Sequence, residues 1–365
     1  MTHLIALAAG GTGGHLFPAE ALARELLARG HGAVVYTDAR GAAYGHALDG
    51  LPHLVLPARS LAGGLAGKAA AAGTVLRAAW RARADLRRRG AAAMVGFGGY
   101  PSFAPALAAK ACGLPLLLHE QGARLSLANR QLLRFADAVA VSFPGTAGLE
   151  GIAAARVVET GNPVRRAILE ARAPYPALDA QAPLRLLVVG GSQSAAVFGR
   201  VLPPALLALP EALRRRLRVG LQYRGDDAAQ CEARLREAGI GAEVRPFFED
   251  MGARLRDAHL VVTRAGATTI ADLLAVGRPA ILVPIPQGGS RDEQRRNAEA
   301  LATAGAGWCL PEPELDAVAL AARLQALFAD PLALPQAAAA AAALGRPQAA
   351  ALLADAVERL LPRAG

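Results

Sequence analysis

Gly10–His15, GGTGGH, constrains this chain more than any other stretch. Before it lies a short apolar run, Leu4–Ala9 (LIALAA), that reads as a buried strand. After it, Ala19–Arg29 reads as a helix with Leu22, Leu26 and Leu27 on one face. Four glycines and a threonine between strand and helix let the backbone turn sharply and present its N–H groups. Those donors, with the positive end of the helix dipole, make a seat for phosphate or diphosphate. His15 stands at the helix start as the one titratable side chain of the loop. A second unit of this kind occurs at Leu184–Pro203, LRLLVVGGSQSAAVFGRVLP. One unit in each half predicts two domains with a ligand between them.

The pattern around these turns is that of a parallel sheet. Ala33–Thr37 (AVVYT) reads as a second strand ending at Asp38, which completes a strand–turn–helix–strand unit. Further readings are Ala93–Ser102 (AMVGFGGYPS), a strand running into a glycine loop, strands at Leu114–Leu118 and Ala138–Ser142, and Val157–Val164 (VVETGNPV), a strand followed by a proline-bearing turn. The second half repeats the plan at Leu184–Val189, Arg218–Tyr223, Glu243–Phe247, Leu260–Thr263 and Ala280–Pro284. A helix at Ile270–Val276 carries Asp272 in its first turn, and one at Asp292–Ala304 carries Glu293, Gln294 and Asn297. The fold class is therefore α/β with two Rossmann-like parallel-sheet domains. The boundaries fall at 1–163 and 164–340, with Arg165 just across the first. The Ala/Leu-rich tail is broken by Pro331, Pro335 and Pro347, and its last helix, 341–365, packs back on the N-terminal domain.

A dinucleotide site is the rival for the first turn, with Asp38 standing about where a ribose-binding acid would. Counted from Gly11, however, the sixth position of G-x-G-x-x-G is Leu16. Composition narrows the remaining classes. The 365 residues suffice for two domains with their own cores, and 53% hydrophobic against 19% charged content argues against disorder. Three scattered cysteines imply neither a disulfide frame nor a zinc site, and fit a reducing compartment. No signal pattern and no uninterrupted apolar span of bilayer length is found. A net charge of +10 fits an anionic partner, while only 4% aromatic content offers no stacking platform for nucleic acid.

Several residues admit two roles on sequence alone. His119 and Glu120 follow a strand at its carboxyl end, where open α/β sheets place ligand contacts, or else satisfy buried backbone. Ser192 adds a hydroxyl to the second glycine turn, or caps a helix. Asp272 contacts ligand, or serves the helix dipole. In Ser60–Gly90, Leu61, Leu65, Val75, Leu76 and Trp80 lie among Lys68, Arg77, Arg81, Arg83 and Arg87–Arg89. This is an ordinary core helix with a solvated basic face, or a peripheral contact with an anionic membrane surface.

Taken together, GGTGGHLFPA, GFGGYPS, HEQ, GNPVR, VVGGSQ and RAGATTIADLLAVGRPAILVP resemble the MurG family of bacterial glycosyltransferases, in the family's order, from about Leu4 to Asn297. The resemblance implies a GT-B fold, two Rossmann-like domains facing a cleft. It implies transfer of N-acetylglucosamine from UDP-N-acetylglucosamine to undecaprenyl-diphospho-muramoyl-pentapeptide (lipid I to lipid II) in peptidoglycan synthesis. The place would be the cytoplasmic face of the cell membrane, with peripheral attachment and no cofactor or metal. Carried over residue by residue, Thr12, Gly13 and Gly14 match diphosphate contacts, Arg165 the donor-binding arginine, and Ser192 the serine of the third glycine loop. Phe248 falls where backbone recognises uracil, Ala267, Thr268, Thr269 and Asp272 where ribose and sugar are held, and Gln294 where the donor sugar is bound.

This chain departs from the family at a few of these places. Gly122 stands where Asn usually follows HEQ, so one sugar contact is missing or supplied by another residue such as Asn129, and Asp272 replaces the usual Glu. Ser194, Gln222-Tyr223 and Glu293 also differ from the pattern.

The chemistry needs little else. A diphosphate leaving an anomeric carbon would be stabilised by helix N-termini, Arg165 and the Ser192 hydroxyl. The acceptor's 4-hydroxyl attacks the opposite face and inverts the centre. His15 is the first choice of base because its ordinary pKa lies near neutrality, with His119 and Glu120 in reserve.

Overall fold

The computed structural model describes residues 2–59, 65–179, 181–191, 196–286 and 291–362; for 45, 46, 65–70 and 291 only the backbone course is described. The chain divides into two compact units, Met1–Arg165 with Arg346–Gly365, and Arg166–Gly345.

The first unit is built on seven parallel strands, β1 (Leu4–Ala8), β2 (Gly32–Thr37), β3 (His53–Val55), β4 (Ala91–Gly96), β5 (Leu116–Glu120), β6 (Ala138–Val141) and β7 (Val157–Glu159), in the order β3-β2-β1-β4-β5-β6-β7. The direction of winding reverses between β1 and β4, so the loops after those two strands diverge and leave room for a ligand. GGTGGH follows β1 and FGGYPS follows β4. Aliphatic side chains point to both faces of the strands: Ile5, Leu7 and Val35 meet one helix layer, Ala6, Val34 and Met94 the other. That two-sided burial is why these strands read as continuous apolar runs.

The first helix spans Gly13–Ala28, six residues earlier than the sequence pattern suggests. Glycine hides a helix start from propensity, but Leu16 is fully buried in the core and the Thr12 carbonyl accepts from both His15 N (3.2 Å) and Leu16 N (3.3 Å). Only Gly10 and Gly11 form the turn. Gly13 and Gly14 belong to the first helical turn. The last helix, Ala349–Glu358, lies against this one, with Leu353 and Val357 in the same core as Leu22 and Leu26. Arg29 pairs with Asp355 at 2.6 Å and Glu358 at 3.2 Å across the contact.

The second unit repeats the plan with β8 (Leu184–Val189), β9 (Leu217–Gln222), β10 (Gly241–Arg245), β11 (Leu260–Thr263), β12 (Ala280–Leu282) and β13 (Gly307–Cys309), all parallel, in the order β10-β9-β8-β11-β12-β13. Its reversal lies between β8 and β11, where the second glycine turn and the RAGATT segment begin. A helix covers Ala267–Val276 and ends on Gly277 in the left-handed conformation. Asp272 is therefore in the second turn, buried, and not at the dipole end as the shorter predicted helix implied. The fully buried Arg278 closes this corner by donating to the carbonyls of Val276 (2.7 Å), Gly277 (3.1 Å), Leu255 (3.1 Å), Ala173 (3.2 Å) and Pro174 (3.1 Å).

Candidate functional site: two glycine turns

In the first unit the site begins with the turn after β1. A Cβ on Gly10 would stand 2.9 Å from both Asp38 Oδ1 and Thr37 Oγ1, and Gly11 has φ +83°, so neither position admits a side chain at low cost. Asp38, buried at the end of β2, accepts from Gly11 N (2.8 Å) and Gly41 N (3.0 Å), and its other oxygen takes the Arg40 Nε–H at 3.0 Å. Burial alone would raise the Asp38 pKa. The two amides and the Arg40 guanidinium outweigh it and hold the carboxyl below its ordinary value.

His15 lies just inside the helix, its Nδ1 3.2 Å from Thr12 Oγ1. The turn after β4 makes room for its ring. Gly98 and Gly99 have φ +82° and +74°, and a Cβ on either would come within 3.6 Å or less of the imidazole. Burial drives the His15 pKa down to about 4, against the opposing charge of Asp38, so the ring is neutral near pH 7 and able to accept a proton.

Strand β5 carries through His119 and Glu120 instead of stopping at Leu118, and both are buried. His119 Nε2 lies 3.1 Å from the Gly161 carbonyl, which assigns the proton to Nε2. Burial lowers its pKa to about 4. The Glu120 carboxylate accepts from Ser126 N (2.8 Å), Asn129 Nδ2 (2.9 Å) and Gly122 N (3.2 Å), and burial raises its pKa against those bonds. Asn129 also donates to the His119 carbonyl at 3.0 Å. These contacts tie down the 121–129 loop. The Ser126 hydroxyl and Asn129 amide meet the same Gly98 turn that the His15 ring packs against. Arg165, the last residue of this unit, sets its guanidinium 4.3 Å over the Phe17 ring.

In the second unit, β8 runs into Gly190 and Gly191, the latter with φ +71°. Ser192 and Ser194 lie outside the described residues, as does Leu61 of the basic segment. Ala267, Thr268 and Thr269 form the first turn of the helix after β11, with Asp272 one turn on. Gln294 Oε1 accepts from Ile285 N (3.2 Å) and Asn297 Nδ2 donates to the Ala265 carbonyl (3.1 Å), so one helix holds the loops after both β12 and β11. The Phe248 ring is buried under the Arg254 guanidinium, 3.8 Å away, while Phe247 is exposed. Among the described residues, no three His, Cys, Asp or Glu side chains gather as a metal-ligand set.

Sequence reasoning missed three supports of these turns. Arg40 reaches over Gly11; Ser126 joins Glu120 to the Gly98 turn; and Arg264 pairs with Glu312 at 2.5 Å while donating to the Val283 carbonyl at 3.3 Å. The one signal for the first was Asp-x-Arg directly after β2.

The N-terminal domain model of glycosyltransferase family 28 matches residues 5–141, and the family's C-terminal domain model matches residues 185–354. This chain belongs to glycosyltransferase family 28. Within it, the chain is 50% identical over 354 residues to the UDP-N-acetylglucosamine–N-acetylmuramyl-(pentapeptide) pyrophosphoryl-undecaprenol N-acetylglucosamine transferase of Rhodospirillum centenum, covering 97% of this chain and 93% of that one. The protein of the same name from Paramagnetospirillum magneticum is 46% identical over 98% of this chain and 97% of its own length. The crystal structure of MurG from Acinetobacter baumannii superposes with a TM-score of 0.78 at 29% identity, covering 98% of this chain and 99% of that one. The motif-based resemblance and the expected GT-B family fold hold. A Listeria monocytogenes protein described as a putative UDP-N-acetylglucosamine 2-epimerase, at 16% identity and a TM-score of 0.69, shares the fold alone.

Proposed function

We propose that this family 28 enzyme moves N-acetylglucosamine from UDP-N-acetylglucosamine to the 4-hydroxyl of the muramoyl sugar of undecaprenyl-diphospho-muramoyl-pentapeptide, inverting the anomeric centre. The observation that carries the proposal is the 50% identity, sustained over 97% of the chain, to a relative named for that transfer. The first unit takes the lipid-linked acceptor and the second the UDP-sugar, with Thr12, Gly13 and Gly14 at a substrate diphosphate. There the Phe248 backbone reads the base, Ala267–Asp272 hold ribose and sugar, and Gln294 and Ser192 complete the donor site.

Departure of UDP builds charge on its diphosphate. Amides at a helix start answer it at no reorganisation cost, assisted by Arg165. His15, half-buried and kept neutral by desolvation, takes the proton from the attacking hydroxyl. The proposal gives no part to a metal, a cofactor or nucleic acid.

Work on a membrane-borne acceptor calls for a surface that meets the bilayer. On helix Leu65–Arg89, Leu76 and Trp80 stand one turn apart and are 71% and 72% exposed, beside exposed Arg77, Arg81 and Arg87. Apolar side chains that dip into the interface beside cations that attract anionic lipid are the composition of a peripheral contact on the cytoplasmic face. Among the described residues no single helix is long and apolar enough to cross a membrane.

The test is incubation of purified protein with radiolabelled UDP-N-acetylglucosamine and a short-chain acceptor analogue. Label passing into the acceptor, with UDP released in equal amount, supports the proposal. Conversion of the labelled sugar to its 2-epimer without transfer would replace it.

A further inference from the structure

We infer that Arg40 binds a diphosphate, its guanidinium held over the Gly10–Gly11 turn by Asp38. The inference rests on the proposed transferase only for the choice of which substrate brings that diphosphate. Arg40 has 65% of its side chain exposed, yet its Nε is fixed at 3.0 Å on the buried carboxylate of Asp38. That carboxylate cannot swing away, because its other oxygen accepts from Gly11 N and Gly41 N. The anchor places Nη2 3.2 Å from where a Cβ on Gly11 would stand, over the face of the turn that a side chain would otherwise fill.

An arginine on a surface ordinarily spends its long stem on rotamer freedom. This one is tethered at Nε, and the tether leaves its terminal nitrogens over the turn. Planar guanidinium groups match phosphate oxygens two bonds at a time. Two further observations point the same way. The first turn of helix Gly13–Ala28 carries no acidic residue to compete with an anion. Beneath the turn, Thr37 Oγ1 is buried without a hydrogen-bond partner among the described residues, 2.9 Å from a Gly10 Cβ position. A polar atom left unsatisfied under a turn is a cost that binding sites carry and ordinary turns avoid. Asp38, on this account, is a positioning residue that aims the guanidinium.

Both proposed substrates contain a diphosphate, so the test has two arms. Binding of UDP and of farnesyl diphosphate is measured by titration calorimetry on wild type, Arg40→Ala, Arg40→Lys and Asp38→Asn, and KM and kcat are measured for donor and acceptor. Arg40→Ala is expected to weaken one of the two ligands about tenfold or more, with a matching rise in that substrate's KM and little change in kcat. Arg40→Lys recovers part of the loss. Asp38→Asn keeps an acceptor for the Gly11 amide but frees the guanidinium, so it follows Arg40→Ala. A response to farnesyl diphosphate assigns the turn to the lipid-linked substrate, and a response to UDP assigns it to the nucleotide. If Arg40→Ala binds both as wild type does, the inference is overturned. The calorimetric arms need no turnover. A wild type that transfers no sugar, with diphosphate binding still lost in Arg40→Ala, would end the proposed function and leave this inference standing.

Discussion

The Nδ1 of His15 lies 3.2 Å from the Thr12 hydroxyl, across the first turn of helix Gly13–Ala28. The contact sets the plane of the ring, and burial keeps that ring neutral down to about pH 4. Acting as the base, His15 loses activity only when protonated, so kcat/KM falls as the pH drops through about 4 and stays level from there to neutrality. His15→Ala is expected to lower kcat by a factor of about a hundred or more, the usual contribution of a positioned base. Near-normal turnover in His15→Ala would remove it from the chemistry.

Glu120 leads to the opposite expectation. Its carboxylate is committed to Ser126 N, Asn129 Nδ2 and Gly122 N. Truncation strands those buried donors, each at a cost of about 1 to 3 kcal/mol. Glu120→Ala is therefore expected to lower the chemical denaturation midpoint sharply, and Glu120→Gln, which keeps one acceptor, to lower it less. Loss of kcat in Glu120→Gln with an unchanged midpoint would make Glu120 a base instead of a brace.

Much of this arrangement is legible in the linear chain, and the rest fails for identifiable reasons. Strands β1 and β11 and the aliphatic runs of β5 and β8 are buried on both faces, and the glycine turns that follow β1 and β8 sit where a reversing parallel sheet leaves room, so their type and place follow from local pattern. The edge strands β3 and β13 have three residues each and leave no periodicity to detect. The start of the first helix is hidden because Gly13 and Gly14 are poor helix formers, drawn into regular structure by the burial of Leu16. The grip of Asp38 on Gly11 joins residues 27 apart. Only the adjacency of β1 and β2 brings them together, and no spacing rule announces a carboxylate whose partners are backbone amides.

His119 makes the acid stability of the protein testable. Its folded pKa of about 4 lies below the ordinary value of 6.5, so between those values the unfolded chain binds more protons than the folded one. The neutral ring's contribution is complete above about pH 6.5 and is lost as the pH falls toward 4, amounting to about 3 kcal/mol. His15 and His259 are shifted in the same direction, so the informative quantity is the difference between variants. His119→Gln keeps a donor for the Gly161 carbonyl and cannot titrate. Denaturation at a series of pH values should give it a shallower slope than wild type between 4 and 6.5, by up to one proton. Parallel slopes would show that His119 titrates normally.

The exposed pair on helix Leu65–Arg89 gives the last prediction. Leu76 and Trp80 face outward while Ala78, Ala82 and Leu86 of the same helix are buried, and the buried Asp85 takes the Tyr36 hydroxyl at 2.9 Å, so the helix cannot roll to hide them. An aromatic side chain held out of the core serves no packing purpose in its own unit, but at a bilayer interface it buries its ring among the headgroups. In a Trp308→Phe background, where Trp80 is the sole indole, vesicles containing phosphatidylglycerol should shift its fluorescence to the blue. Trp80→Ser and Leu76→Ser should reduce co-sedimentation with those vesicles without moving the thermal midpoint, since neither side chain is packed. Each reversal of charge at Arg77, Arg81 or Arg87 should weaken binding by about fivefold or more, in proportion to a loss of about 1 kcal/mol per basic residue, and added salt should mimic it. An indole spectrum that ignores anionic vesicles while the protein still sediments with them would place the membrane contact on another face.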